Sequence, residues 1–136
     1  MNPKKLVLSG IAGGVVFYIL STIGVAIIQS FAPFNYLDLP GMRQITDPIL
    51  LFFFLYPFVL SFAMAIAYQK FEPALKGNFV EKGKKFGVMM WLVSSLPSAY
   101  IVYTSMNYPL GFTIESFIAS FFYMIAVGVT IAKLSE

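Results

Sequence analysis

Cysteine and histidine are both absent from the 136 residues of this chain, and charged residues make up only 11% of it. The lack of cysteine excludes disulfides and thiol nucleophiles. Without either residue, the chain also lacks the usual ligands of zinc, copper, haem and iron–sulfur clusters. The sequence therefore predicts no metal site, no cofactor and no catalytic residue, and we expect a protein that is not an enzyme.

Apolar residues are abundant instead, because 59% of the chain is hydrophobic. This composition lies outside the range of soluble domains, and four long runs without any charge follow one another. A helix needs about 20 apolar residues to cross the hydrocarbon core of a bilayer. We predict an all-α fold, an integral membrane four-helix bundle that forms one domain over residues 1–136. Its helices are expected near residues 5–31, 48–69, 84–104 and 113–132.

The basic residues are distributed unevenly between the two ends of these helices. The 1–2 and 3–4 connections contain only Arg43, whereas the termini and the 2–3 connection contain eight lysines. Basic residues favour the cytoplasmic side of a membrane. We therefore expect cytoplasmic termini in a prokaryotic cell membrane, and the net charge of +3 is explained by orientation and not by a nucleic-acid partner. The eight lysines are Lys4, Lys5, Lys70, Lys76, Lys82, Lys84, Lys85 and Lys133.

A polar cluster is predicted at the end opposite the lysines, comprising Asp38, Arg43, Asp47 and Glu115. Asp47 precedes Pro48 and has the features of a helix cap, and Glu115 is expected in the first turn of helix 4. No charge falls at the centre of a predicted span. The ordinary interpretation is that Arg43 pairs with an acid while the other residues cap helices and meet water. A catalytic pair of carboxylates is the alternative.

Two prolines, Pro57 and Pro97, lie near the middle of predicted helices 2 and 3. Each removes a helical hydrogen bond and leaves the carbonyl four residues earlier without its partner. Together with Ser61, Ser94 and Ser98 they outline a possible ligand cavity near the membrane midplane. The alternative is a pair of kinks whose carbonyls bond to these serines.

Small residues recur at helical spacing in two of the predicted helices. Gly10, Gly14 and Gly24 lie in helix 1 and Gly87 in helix 3. Such positions allow helix backbones to approach closely in a membrane. Packing within one bundle and packing between the two copies of a homodimer both fit this pattern.

These features favour a non-enzymatic binding protein, or an accessory or structural subunit, that recognises an apolar ligand, a lipid or another membrane protein. The alternative function is a small homo-oligomeric channel or transporter, because hydroxyl groups and freed carbonyls can line a path without charge. The expected partners are membrane lipid and either a second copy of the chain or other membrane proteins.

Overall fold

A computed structural model describes residues 2–136 as four long helices with short connections. Each helix is long and apolar enough to cross a membrane, so the predicted all-helical fold with four such helices is confirmed. The connection between the first two helices contains one short 3₁₀ turn, Tyr36–Asp38. The helices are α1 (Pro3–Gln29), α2 (Pro48–Ala74), α3 (Phe79–Ser105) and α4 (Leu110–Ser135).

Side-chain caps fix the starts of three of these helices. The side chains of Asn2, Asp47 and Asn78 accept hydrogen bonds from backbone amides in the first turns of α1, α2 and α3. Asp47 followed by Pro48 is thus the cap that its sequence predicts. Helix α3 begins at Phe79, before the expected residue 84, because its first turns are polar and hydropathy marks only the apolar part of a helix.

The two ends of the bundle differ in charge. One end, here named the lysine end, holds both termini and the α2–α3 connection, and all eight lysines lie at or near it. The other, the arginine end, holds the α1–α2 and α3–α4 connections and the single arginine, Arg43. The halves of the bundle next to these ends are called the lysine half and the arginine half.

Three of the four pairs of neighbouring helices in the bundle are packed along each other, and the fourth pair is not. Helix α4 packs along α1 and α3, and α1 packs along α2, whereas α2 and α3 have few contacts with each other. The core lies in the lysine half, where one set of side chains from α2, α3 and α4 is completely buried. They include Met64, Ala65, Tyr68, Phe86, Val127 and Ile131.

The backbones of α3 and α4 approach each other closely. A Cβ atom added to Gly87 would lie 2.5 Å from the carbonyl oxygen of Met124, and one added to Gly83 would lie 2.4 Å from the Cα atom of Val129. Both distances are too short for any side chain. The two helices are therefore in backbone contact, which requires glycine at these positions.

The other glycines expected at packing positions also lie against neighbouring helices of the same chain. Gly10 and Gly14 face phenylalanine side chains of α2, and Gly24 faces the ring and hydroxyl of Tyr123 in α4. A closely packed glycine of α1 that the sequence pattern missed is Gly13, which faces Ser61 and Val127. Contacts within one chain thus account for the small-residue faces.

The two interior prolines follow helical segments of different winding. The segment before Pro57 is wound more tightly than an α-helix, and the segment before Pro97 is wound more widely. Pro57 has no N–H group for the carbonyl oxygen of Phe53, which instead accepts from Tyr56, so the preceding segment Pro48–Leu55 is wound tightly as a 3₁₀ helix. Ahead of Pro97, the amide of Leu96 reaches back five residues to Trp91, and this turn of α3 is a wide π turn.

A second π turn occurs in α4, over Glu115–Ala119, without any proline. Nε1 of Trp91, from α3, donates hydrogen bonds to the carbonyl oxygen of Phe117 at 3.1 Å and to Oγ of Ser120 at 3.2 Å. The wide turns of α3 and α4 are therefore linked by one indole ring.

Candidate functional site

A cavity of about 620 Å³ occupies the arginine half of the bundle. All four helices contribute to its walls, and aromatic side chains make up much of the lining. Hydroxyl groups from serine, threonine and tyrosine are interspersed among them, and Glu115 is the one charged side chain in the lining. The volume lies in the range of pockets that hold small organic ligands, roughly 300–1,000 Å³.

The three irregular helical segments all contribute to this cavity. The 3₁₀ segment of α2 supplies Phe53 and Phe54, the wide turn of α3 supplies Ser94 and Ser95, and the wide turn of α4 begins with Glu115. Wide turns of this kind are frequent at functional sites because they redirect side chains from their regular helical positions. The distortions of the bundle therefore coincide with its cavity.

An aromatic cluster covers the cavity at the arginine end. The rings of Tyr36, Phe34 and Phe112 pack edge to face, with centroids 4.9 to 5.9 Å apart. On the opposite side, Tyr123 and Met124 line the cavity and are almost fully buried, next to the solid core of the lysine half. The cavity is therefore bounded by aromatic rings toward the arginine end and by the core toward the lysine end.

Its opening is lateral, beside α2. The segment Pro48–Leu55 has few contacts with the three other helices, and the contacts of α2 with α3 involve mainly the Phe79–Met90 part of α3. Phe53, Phe54 and Tyr56 line the cavity and remain exposed on its outer side. A ligand can thus enter through the side of the bundle in its arginine half.

Glu115 lies in the cavity wall and not at the start of its helix. Because α4 begins at Leu110, three residues before the expected residue 113, Glu115 belongs to the second turn. Its Oε2 atom accepts a hydrogen bond from the hydroxyl of Tyr36, 3.3 Å away. Burial and the nearby carboxylate raise the pKa of Tyr36, so its hydroxyl keeps the proton that it donates.

Tyr123 adds a second hydroxyl near this carboxylate. Its side chain is only 4% exposed, and its hydroxyl makes no hydrogen bond of normal geometry, although it lies within the electrostatic reach of Glu115. The ring packs edge to face on Phe17, with centroids 5.4 Å apart. The cavity wall thus contains a second hydroxyl next to the carboxylate of Glu115.

The predicted polar cluster is divided in the structure. Arg43 and Asp47 form an exposed ion pair of 2.6 Å, and the guanidinium holds the pKa of Asp47 below its usual value. Asp38 lies exposed in the short turn of the α1–α2 connection. Glu115 belongs to the cavity instead, so the four residues do not form one site.

The residues predicted to outline a cavity are also divided. Pro57, Ser94 and Ser98 line the observed cavity. Ser61 lies one turn closer to the lysine end, buried against Gly13, with no hydrogen-bond partner for its hydroxyl. Pro97 is exposed and is not part of the lining. The part of α2 that lines the cavity therefore runs from Pro57 toward the arginine end, and Ser61 lies outside it.

Sequence reasoning missed most of the polar lining. Tyr18, Ser21, Thr22 and Val25 form one wall from α1, and their spacing of three, four and seven residues places them on one helical face. That pattern is visible in the sequence. Glu115 could not be placed in the same way, because a wide turn shifts its direction.

Comparisons with protein-family models, with curated proteins and with solved structures give no match for this chain. The geometry of the cavity and the chemistry of its lining are therefore the basis for a functional interpretation.

Proposed function

We propose that this chain is an integral protein of a prokaryotic cell membrane that binds an apolar ligand or a lipid in its cavity. Four helices of spanning length and eight lysines at one end support an orientation with both termini in the cytoplasm. In this orientation the cavity lies in the outer half of the bilayer. Its opening then faces the lipid.

The observation that carries this proposal is the lateral opening of a large, mostly apolar cavity. A water-soluble ligand needs a path to water, but the aromatic cluster around Tyr36 covers the arginine end and the buried core fills the lysine half. The gap beside Pro48–Leu55 leads to the side of the bundle. An apolar molecule dissolved in the bilayer can use this route without crossing water.

A binding role fits the chemistry of the lining better than catalysis does. Glu115 has no second carboxylate beside it in the cavity lining, and the lining contains no lysine or arginine. General acid and base catalysis by paired carboxylates requires two such groups around a substrate. The protein would therefore hold, present or sequester its ligand, either alone, as a homodimer or as a subunit beside other membrane proteins.

A small transporter is the second candidate. The wide turns and Pro57 adjoin the cavity, and interrupted helices at a central site are typical of transporters. A continuous channel fits less well, because Tyr68 and Phe86 pack edge to face in the lysine half with centroids 5.2 Å apart and are completely buried.

Native mass spectrometry of protein purified from membranes in a mild non-ionic detergent tests the binding proposal. We expect one lipid-sized adduct on the wild-type protein. The substitution Ser98→Trp fills the cavity from α3 and should abolish the adduct. The matched control is Val93→Trp, which places the same side chain on the same helix at a position that is 73% exposed and outside the lining.

Loss of the adduct in Ser98→Trp alone supports the proposal. A wild-type protein without an adduct, or equal retention in both variants, contradicts it. Flux of a solute into proteoliposomes containing the wild-type protein, blocked by Ser98→Trp and not by Val93→Trp, would instead favour the transporter.

A further inference from the structure

The carboxylate of Glu115 has no cationic partner in the part of the chain that the structure describes. The one ion pair among residues 2–136 joins Arg43 to Asp47 at the surface. Glu115 is half-buried, and the side chains next to its carboxylate are the neutral hydroxyls of Tyr36 and Tyr123. An ionised carboxylate that is partly removed from water is costly unless a positive charge or several donors compensate it. A compensating charge can come from a ligand.

Tyr123 lies next to this carboxylate in the cavity wall. Its side chain is 4% exposed, and its hydroxyl is enclosed by protein beside Glu115. The neutral hydroxyls of Tyr36 and Tyr123 thus flank the carboxylate, and neither supplies a positive charge to balance it.

The surrounding rings favour a positive charge at the same point. Phe17 packs on Tyr123, and Phe112 packs on Tyr36, with centroids 5.4 and 5.9 Å apart. The faces of aromatic rings attract cations, and this attraction grows where water is excluded. Because neither lysine nor arginine lines the cavity, no protein group competes for these rings or for the carboxylate.

We propose that the cavity binds a primary alkylammonium compound, with its ammonium group on Glu115 and its alkyl chain along the apolar walls. The ammonium carries three N–H donors, which can bond to the carboxylate of Glu115 and to the hydroxyl oxygen of Tyr36. The alkyl chain extends toward Phe53 and Phe54 at the lateral opening, where it remains in contact with the lipid. This inference names the ligand class for the proposed binding function, and it rests on that function.

Three ligands with the same twelve-carbon chain separate the role of charge from that of the apolar chain. Saturable binding of radiolabelled dodecylammonium, 1-dodecanol and dodecanoate is measured on the full chain in nanodiscs of zwitterionic phosphatidylcholine. We expect dodecylammonium to bind roughly ten- to a hundredfold more tightly than dodecanol, since hydrogen bonds to a charged group are worth more than neutral ones. Dodecanoate, which carries the same charge sign as Glu115, should bind more weakly than dodecanol.

The substitution Glu115→Gln removes the charge and keeps the shape of the side chain. In this variant the affinity for dodecylammonium should fall to that for dodecanol. The matched control Asp47→Asn removes a carboxylate from the same end of the protein but outside the cavity, and it should preserve the preference. The comparison of three ligands on the wild-type protein does not depend on how well either variant folds.

The outcomes distinguish this inference from the proposed function. Equal binding of dodecylammonium and dodecanol by the wild-type protein overturns the ammonium site and leaves the apolar cavity in place. A preference that persists in Glu115→Gln also overturns the ammonium site. If neither dodecanol nor dodecylammonium binds saturably, both proposals are wrong.

Discussion

The indole nitrogen of Trp91 donates a hydrogen bond to the carbonyl oxygen of Phe117, 3.1 Å away, and so joins the wide turn of α3 to that of α4. The same N–H lies 3.2 Å from Oγ of Ser120, which in turn donates to the carbonyl oxygen of Ser116 at 2.6 Å. In lipid, no water can replace the indole N–H if this hydrogen bond between the two helices is lost. Trp91 therefore stabilises the helical distortion that directs Glu115 into the cavity.

We predict that Trp91→Phe destabilises the protein by about 1–3 kcal/mol, the usual cost of leaving a buried polar group without its partner. Phenylalanine retains a ring that can pack against Phe121, as Trp91 does at 5.2 Å, and loses only the donor. Thermal unfolding in detergent measures the change. Tyr103→Phe, at a side chain that is 71% exposed, is the control and should leave the unfolding temperature unchanged. An equal change in unfolding temperature for both substitutions would show that the hydrogen bond from Trp91 to Phe117 does not stabilise the protein.

The backbone contact between α3 and α4 gives a second prediction, on stability. Gly87→Ala places a methyl group against the carbonyl oxygen of Met124, which belongs to backbone and cannot rotate away. Gly14→Ala meets mainly the ring of Phe58, which has some freedom to move, and the Cα atom of the same residue only at 3.0 Å. We expect Gly87→Ala to cost about 1–3 kcal/mol and Gly14→Ala to cost less. If chemical or thermal unfolding shows Gly14→Ala to be the more destabilising substitution, the backbone contact between α3 and α4 is wrong.

The orientation in the membrane is tested by cysteine labelling, for which the chain is suited because it contains no native cysteine. Asn78 lies exposed in the lysine-end connection, and Asn107 lies exposed at the arginine end. An impermeant thiol reagent added to intact cells should label Asn107→Cys and not Asn78→Cys. Asn78→Cys should be labelled only after the cells are permeabilised. Labelling of Asn78→Cys alone in intact cells would invert the orientation.

The interior prolines provide a fourth prediction, which concerns the shape of the cavity. Pro57 lines the cavity and follows the segment that diverges from the bundle, whereas Pro97 is exposed outside the lining. Pro57→Ala restores a donor for the carbonyl of Phe53 and should let α2 straighten, which narrows the opening. We expect Pro57→Ala to preserve or raise the unfolding temperature while weakening retention of dodecylammonium.

Pro97→Ala is the matched control for that substitution and should leave ligand retention unchanged. A loss of stability in Pro57→Ala together with full retention of dodecylammonium would indicate that the proline serves only packing. The two readings, unfolding temperature and retained ligand, are taken on the same preparations of both variants.

The number of helices and the charge difference between their ends could be predicted from the sequence. Apolar runs of spanning length and the positions of the lysines depend only on the order of residues and not on tertiary contacts. The cap at Asp47 was predicted for the same reason, since a cap is local. The start of α4 was placed too late, at residue 113. The helix begins directly after Pro109, in a turn that hydropathy does not distinguish from the preceding connection.

The site was less predictable because it depends on helix irregularities and on tertiary contacts. Pro57, Ser94 and Ser98 could be associated with one depth by counting residues along each helix. Glu115 lines the cavity from a wide turn in α4, and Trp91 of α3 donates a hydrogen bond to that turn. The hydrogen bond from Tyr36, 79 residues away in the chain, has no local sequence signal either.

The most direct test of the binding site is photoaffinity labelling of the full chain in phosphatidylcholine nanodiscs with an alkylamine that carries a diazirine in its chain. Mass spectrometry of the labelled peptides should locate label on cavity-lining residues, including Ser98 of α3 and Phe53 and Phe54 of α2, and excess dodecylammonium should remove it. Label confined to outward positions such as Val93 and Tyr100, unaffected by dodecylammonium, would contradict the cavity as the binding site.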